Sequence, residues 1–112
     1  MFIEDYRRLA RFDEGKMQKI TLFESHRMFA DLYCLLPGQE QRAHSHHDND
    51  KLYFVLEGEG TFLVGASETR LGVGGCCVAP AGEPHGVRND SDGQLVVLVT
   101  MAPHPSIHSP GS

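Results

Sequence analysis

Hydrophobic and polar residues alternate along most of this 112-residue chain in short segments, which is the pattern of half-buried β-strands. Turns rich in glycine, proline and aspartate separate these segments every several residues, as in a β-barrel or a β-sandwich. The chain is therefore predicted to be all-β. The predicted strands cover residues 17–23, 27–36, 39–46, 51–57, 61–64, 68–71, 76–79, 85–88 and 95–101.

The N-terminal segment follows a different pattern. Residues Ile3–Phe12 place Tyr6, Leu9 and Phe12 along one side of a helix, and two acidic residues lie at its start, where the helix dipole favours negative charge. The polar, glycine-containing run that follows ends this pattern. We expect two to three turns of helix here, followed by an extended arm.

The last predicted strand, Leu95–Met101, is apolar on both faces. A strand on the outside of a barrel needs only one apolar face, so a second surface is expected to cover the other. A homodimer contact is the expected cover, and the N-terminal arm is the alternative.

A chain of this length forms one domain by ordinary size rules and is long enough to bury a single core. Within it we predict three regions. Residues 1–25 are an N-terminal helix or arm packing on the barrel, residues 26–102 are the barrel, and residues 103–112 are a flexible tail.

Charge and composition argue against several partners. The net charge of −5 and the lack of a basic cluster beyond three N-terminal arginines disfavour nucleic acid. No apolar run reaches the roughly 18 residues of a membrane span, and the N-terminus does not resemble a signal peptide. Cys34, Cys76 and Cys77 do not suit a disulfide framework, so reduced thiols are expected. We predict a cytoplasmic protein that binds neither nucleic acid nor membranes.

Three histidines are the candidate chemistry of the chain. His44 and His46 are separated by one residue, so their side chains project from the same face of an extended backbone. His85 follows about forty residues later, directly after a proline and glycine turn. Neutral imidazoles that converge from separate strands are a common transition-metal site. We therefore predict that these three side chains meet and bind a metal.

Two stretches of the sequence resemble the paired motifs of the cupin superfamily. Gly38, His44, His46 and Gly58 match fixed positions of the first motif, and the second is matched throughout by Gly74, Pro80, Gly82, His85 and Asn89. The resemblance implies the cupin double-stranded β-helix, a jelly-roll-like antiparallel barrel. Because cupins include oxygenases, isomerases, epimerases, decarboxylases and sensors, the resemblance implies no single reaction.

The sequence departs from the first motif where the family usually carries a metal-binding glutamate. Lys51 stands there, preceded by Asp50, and a protonated lysine cannot bind a metal. Three arrangements follow, in decreasing order of preference: a three-histidine site with open positions, as in the thiol dioxygenases of this superfamily; Asp50 as a fourth ligand; or His47, which faces away from the other two in an extended strand. An inward lysine would repel the metal or lose its proton.

The sequence leaves three functions open. The first is a metal-dependent enzyme, of oxygenase or isomerase type, holding Fe, Mn, Zn, Ni or Cu and acting on a small organic substrate. The second is a non-catalytic small-molecule binding or sensor barrel. The third is a metal-free isomerase or epimerase using acid and base residues. Tyr53 is a candidate catalytic or ligand-binding residue because it shares strand parity with Lys51, and Gln41 is a lesser pocket candidate.

Overall fold

The computed structural model describes residues 1–105. In this range nine strands form two antiparallel sheets that share one core. The strands are β1 (Gln18–Glu24), β2 (Phe29–Leu35), β3 (Glu40–His44), β4 (Asp50–Glu57), β5 (Glu59–Val64), β6 (Ser67–Gly72), β7 (Cys76–Ala79), β8 (His85–Arg88) and β9 (Leu95–Ala102). The first sheet has the order β1-β2-β9-β4-β7, and the second has the order β3-β8-β5-β6.

The predicted all-β, cupin-like fold is confirmed, and each predicted strand is present. The bounds of β7 and β8 are those predicted, while the ends of the other strands differ from the prediction by at most two residues. The predicted tail lies mostly outside the described residues, as does His108.

The N-terminal segment contains much less helix than the pattern predicted. A single 3-10 turn, Tyr6–Arg8, is its sole helical element, and the Asp5 side chain accepts the Arg7 N–H at the start of that turn. Isolated helices of about ten residues are marginal, so tertiary contacts decide the conformation of such a segment. A three-residue turn is also too short to cross a bilayer, and no other helix in the described part of the chain could do so.

The N-terminal arm covers part of the outer face of the first sheet. Tyr6 and Leu9 pack against a cluster that includes Leu32 and Val96. The Tyr6 hydroxyl also donates to a Glu57 carboxylate oxygen at 3.2 Å. The N-terminal arm, which was the alternative to the expected homodimer contact, therefore covers one end of β9. The homodimer stays a prediction.

The core lies between the two sheets and is built from alternating inward residues. Its fully or almost fully buried members are Tyr33, Leu35, Tyr53, Val55, Phe62, Val87, Leu95, Val97 and Val99. The three thiols are free, as predicted. Cys77 packs against the core, whereas its neighbour Cys76 is exposed, in agreement with strand alternation.

Gly58, which joins β4 to β5, has a backbone that only glycine accommodates. Its φ is +77°, and a Cβ atom there would overlap the carbonyl oxygen of Gln94. We expect Gly58→Ala to lower the free energy of unfolding by about 3 kcal/mol, because strain and a backbone clash add together. Urea unfolding followed by circular dichroism measures the loss.

Gly74 provides the matched control, since its φ is +88° but a Cβ atom there would meet nothing within 4 Å. Gly74→Ala should cost only the left-handed backbone penalty of about 1 kcal/mol. Equal losses for the two variants would contradict the clash at Gln94.

Candidate metal centre

Strands β3 and β8 bring the predicted histidines together. His44 and His85 are direct partners in the antiparallel register. His46 lies just beyond β3, and its carbonyl oxygen accepts the Gly82 N–H at 2.7 Å, which ties its loop to the turn before His85. Gly86 lets the strands approach, because a Cβ atom there would lie 2.8 Å from the Gln41 carbonyl oxygen.

The three imidazole rings form a compact cluster. The ring centroids are 5.0 Å apart for His44 and His46, 4.5 Å for His44 and His85, and 5.6 Å for His46 and His85. Each ring offers a nitrogen atom within 4.8 Å of those of the other two. One ion can therefore be reached by all three side chains.

Backbone carbonyls orient two of these rings for metal binding. The Nδ1 atom of His44 lies 2.9 Å from the Arg42 carbonyl oxygen, and that of His85 lies 3.1 Å from the Glu83 carbonyl oxygen. A carbonyl only accepts, so each Nδ1 carries the proton and each Nε2 keeps its lone pair. Hydrogen bonds of this kind fix the tautomer of metal-binding histidines.

The surroundings favour the neutral imidazoles that a metal requires. Burial lowers the pKa of His85 to about 4, and it also lowers the pKa values of His44 and His46. The His85 Nε2 atom is fully buried and has no hydrogen-bond partner in the described residues. Such an orphaned acceptor requires an explanation, and a bound cation supplies one.

Lys51 points into the protein from the position where the cupin motif usually has a glutamate. It is 2% exposed, and its ammonium donates to the Tyr33 hydroxyl at 3.1 Å. The Nζ atom lies 5.2 Å from the ring centroids of both Tyr33 and Tyr53. Burial lowers the pKa of Lys51 to about 7, helped by the charge of Lys19 and opposed by that of Asp31.

The other two candidates for the fourth position lie apart from the cluster. The Asp50 carboxylate accepts the Ala81 N–H at 2.9 Å and is not among the converging ligand atoms of the described residues. His47 is exposed. Of the three arrangements considered, the geometry is that of three histidines.

A chain of hydrogen bonds connects the tyrosines beside the cluster. The Tyr53 hydroxyl donates to Gln41 Oε1 at 2.8 Å, and Gln41 Nε2 donates to the Tyr33 hydroxyl at 3.0 Å. Burial raises the pKa values of both tyrosines. The Tyr53 hydroxyl is therefore committed to Gln41, while its ring lies 6.2 Å from that of His85.

A cavity of about 350 Å³ opens next to the cluster. His44, His46 and Lys51 line it, together with residues that sequence reasoning did not assign to a site: Lys19, Asp31, Tyr33 and His104. Tyr33 is also a member of the core, and His104 lies in the region predicted to be a flexible tail. Strand β3 has a one-residue bulge between Gln41 and His44. Strict alternation would put Gln41 and His44 on opposite faces of the strand, but the bulge lets both side chains line the cavity.

Comparisons with known proteins agree with this fold. The cupin domain family model matches residues 31–101. The crystal structure of TT1209 from Thermus thermophilus is 51% identical, with a TM-score of 0.90, and the match covers 94% of this chain and 100% of that one. An RmlC-like cupin protein from Desulfovibrio desulfuricans is 34% identical, with a TM-score of 0.81 and coverage of 92% and 97%. An oxalate-binding protein of Thermotoga maritima is 27% identical over 76% of this chain and 69% of its own length.

Proposed function

Since the chain belongs to the cupin family, we propose that it binds a divalent transition metal through His44, His46 and His85 and acts there on a small organic molecule. The observation that carries this proposal is the convergence of three neutral imidazoles around the orphaned Nε2 atom of His85. Hydrogen bonds from two Nδ1 atoms to backbone carbonyls support it, because they hold the rings in the tautomer that a metal needs.

A three-histidine site suits a reactive metal better than a structural one. Structural sites are usually closed by four protein ligands, whereas a three-ligand site leaves positions for substrate or water. The imidazole donor set is compatible with Fe, Mn, Zn, Ni or Cu. When bound, such an ion would polarise a coordinated substrate or activate dioxygen. The proposed function is thus a metal-dependent enzyme of the oxygenase or isomerase type.

A second candidate is a barrel that binds a small molecule without converting it. The similarity to a relative named as an oxalate-binding protein favours this candidate. Both candidates use the same cavity and the same histidines. They differ in whether a ligand added to the metal-loaded protein is recovered unchanged.

We also propose that the protein works as a homodimer in the cytoplasm. Phe54 and Val78 lie on the neighbouring strands β4 and β7 and are 36% and 50% exposed. These two side chains are diagonal neighbours on one face of the sheet, and an exposed apolar patch is a candidate interaction surface. The three free thiols agree with a reducing compartment.

The metal proposal is tested with tag-free protein that has been stripped of metal with a chelator. Titration calorimetry with Mn(II), Ni(II) and Zn(II) should show one strong site per chain for at least one of the ions. The His47→Ala variant should bind the metal with unchanged stoichiometry, because the His47 imidazole is exposed and lies outside the three-histidine cluster. The proposal fails if none of these ions binds, or if removing His47 abolishes binding. Chromatography of candidate small organic molecules incubated with the metal-loaded protein then distinguishes an enzyme from a binding barrel.

A further inference from the structure

Lys51 has more hydrogen-bonding capacity than its surroundings use. Its ammonium has three N–H donors, and one of them is bonded to the Tyr33 hydroxyl. No carboxylate among residues 1–105 forms an ion pair with it, although the side chain is 2% exposed. Buried charges are normally paired, so a buried ammonium with two spare donors indicates a missing anionic partner.

The ammonium is held in place beside the candidate metal centre. Two tyrosine rings lie 5.2 Å from Nζ, and such π faces attract a cation without neutralising it. Lys51 lines the same cavity as His44 and His46, and its charge contributes to the lowered pKa of each histidine in the cluster. Its field therefore acts on any ligand bound at the histidines.

The nearby carboxylates compensate this charge only in part. Asp31 lines the same cavity, and its charge raises the pKa of Lys51. The two side chains form no ion pair, because Asp31 is on β2 and Lys51 is on β4, with β9 between them, which separates their backbones by roughly 10 Å. Glu24 is exposed and lies 3.1 Å from the Nε2 atom of His104. A divalent ion on three neutral imidazoles would add further positive charge to this cavity. Charge complementarity thus calls for an anion from outside the chain.

The geometry points to a small carboxylate anion as the ligand of this cavity, with Lys51 binding its carboxylate group and the histidine cluster facing the rest of the molecule. The inference rests on the proposed function and names its ligand class. A carboxylate has two acceptor oxygens, which match the two unused N–H donors of Lys51. The cavity of about 350 Å³ is large enough to admit an acid of a few carbon atoms.

Titration calorimetry on the metal-free protein at pH 6.0 tests this inference, with oxalate and malonate as probes. Oxamide serves as the neutral analogue of oxalate. The wild type should bind at least one of the two dianions and bind oxamide at least tenfold more weakly. Lys51→Met should weaken dianion binding at least tenfold, because the charge and both donors are lost. Lys16→Met is the matched control, because Lys16 is an exposed lysine that does not line this cavity, and it should bind like the wild type.

Lys51→Gln, which keeps N–H donors without charge, should show an intermediate affinity, and circular dichroism verifies that each variant is folded. The inference is overturned if both dianions fail to bind the wild type, if oxamide binds equally well, or if both Lys51 variants keep wild-type affinity. Its failure is distinguishable from that of the metal proposal. If the protein binds no metal but binds the dianions in a way that depends on Lys51, the carboxylate inference stands and the metal proposal fails. If the protein binds metal but binds the dianions equally well without Lys51, the carboxylate inference fails and the metal proposal stands.

Discussion

Lys51→Met is expected to make the protein more stable. Burial lowers the pKa of this lysine from 10.5 to about 7, and each unit of such a shift corresponds to about 1.4 kcal/mol. The buried ammonium therefore destabilises the folded state by about 5 kcal/mol at pH 6. Methionine fills a similar volume without charge, although the hydrogen bond to Tyr33 is lost. We expect a net gain of about 2 kcal/mol in the free energy of unfolding at pH 6. Urea unfolding measures the gain.

The pH dependence of this gain identifies its cause. Between pH 7 and pH 10.5 the unfolded lysine holds a proton that the folded one has released, so the wild-type free energy of unfolding rises with pH across this window. The destabilisation is complete below about pH 7 and absent above 10.5. The advantage of Lys51→Met should therefore shrink steadily between pH 7 and pH 9.5. Lys16→Met should stay within about 0.5 kcal/mol of the wild type throughout. A gain that is constant with pH would mean that packing, not charge, is responsible.

This prediction and the proposed carboxylate ligand have the same origin. A residue that costs stability in the free protein and is compensated by a ligand is a common feature of functional sites. If Lys51 served the fold alone, an apolar residue would serve it better. We therefore expect Lys51→Met to be more stable than the wild type and to bind anions more weakly. Observing both effects together would support a role for Lys51 in ligand binding.

Most of the fold could be predicted because its signals are local. Short alternating segments between turn residues located the strands, and the Pro80 to Gly82 turn fixed the start of β8. The N-terminal segment could not be assigned in this way. The spacing of Tyr6 and Leu9 suits a helix, but an irregular arm places the same side chains against Leu32 and Val96. Only the surface on which this segment packs distinguishes a helix from an irregular arm.

The parts of the candidate site that depend on the spacing of residues along the sequence could be predicted. The parts that depend on how the strands pair could not. Two histidines one residue apart and a third after a turn could be read from the chain. Asp31 and Tyr33 lie in an apolar strand, and they line the cavity because of the way the sheet is assembled. Gln41 was predicted only as a lesser pocket candidate, because the bulge that puts it on the same side as His44 could not be foreseen. Such irregularities leave no signal in a pattern of period two.

His85→Ala is expected to abolish strong metal binding. It removes the most buried of the three imidazoles and the one whose Nε2 atom has no other partner in the described residues. Two half-buried histidines would remain, and the apparent dissociation constant should rise by roughly 100-fold or more, since changing even a supporting partner of a metal ligand costs 10- to 100-fold. Metal at 100 times the wild-type dissociation constant should stabilise the wild type by about 2.7 kcal/mol and the variant by about 0.4 kcal/mol or less.

Thermal unfolding with and without metal gives this result independently of calorimetry, and it also shows that His85→Ala is folded. His47→Ala is the control, because it removes an exposed imidazole one residue after His46 and should keep the full metal-dependent stabilisation. If His85→Ala retained the wild-type metal content and stabilisation, the ion would have to be held elsewhere. The direct pairing of His85 with His44 across β8 and β3 would then have a purely structural role.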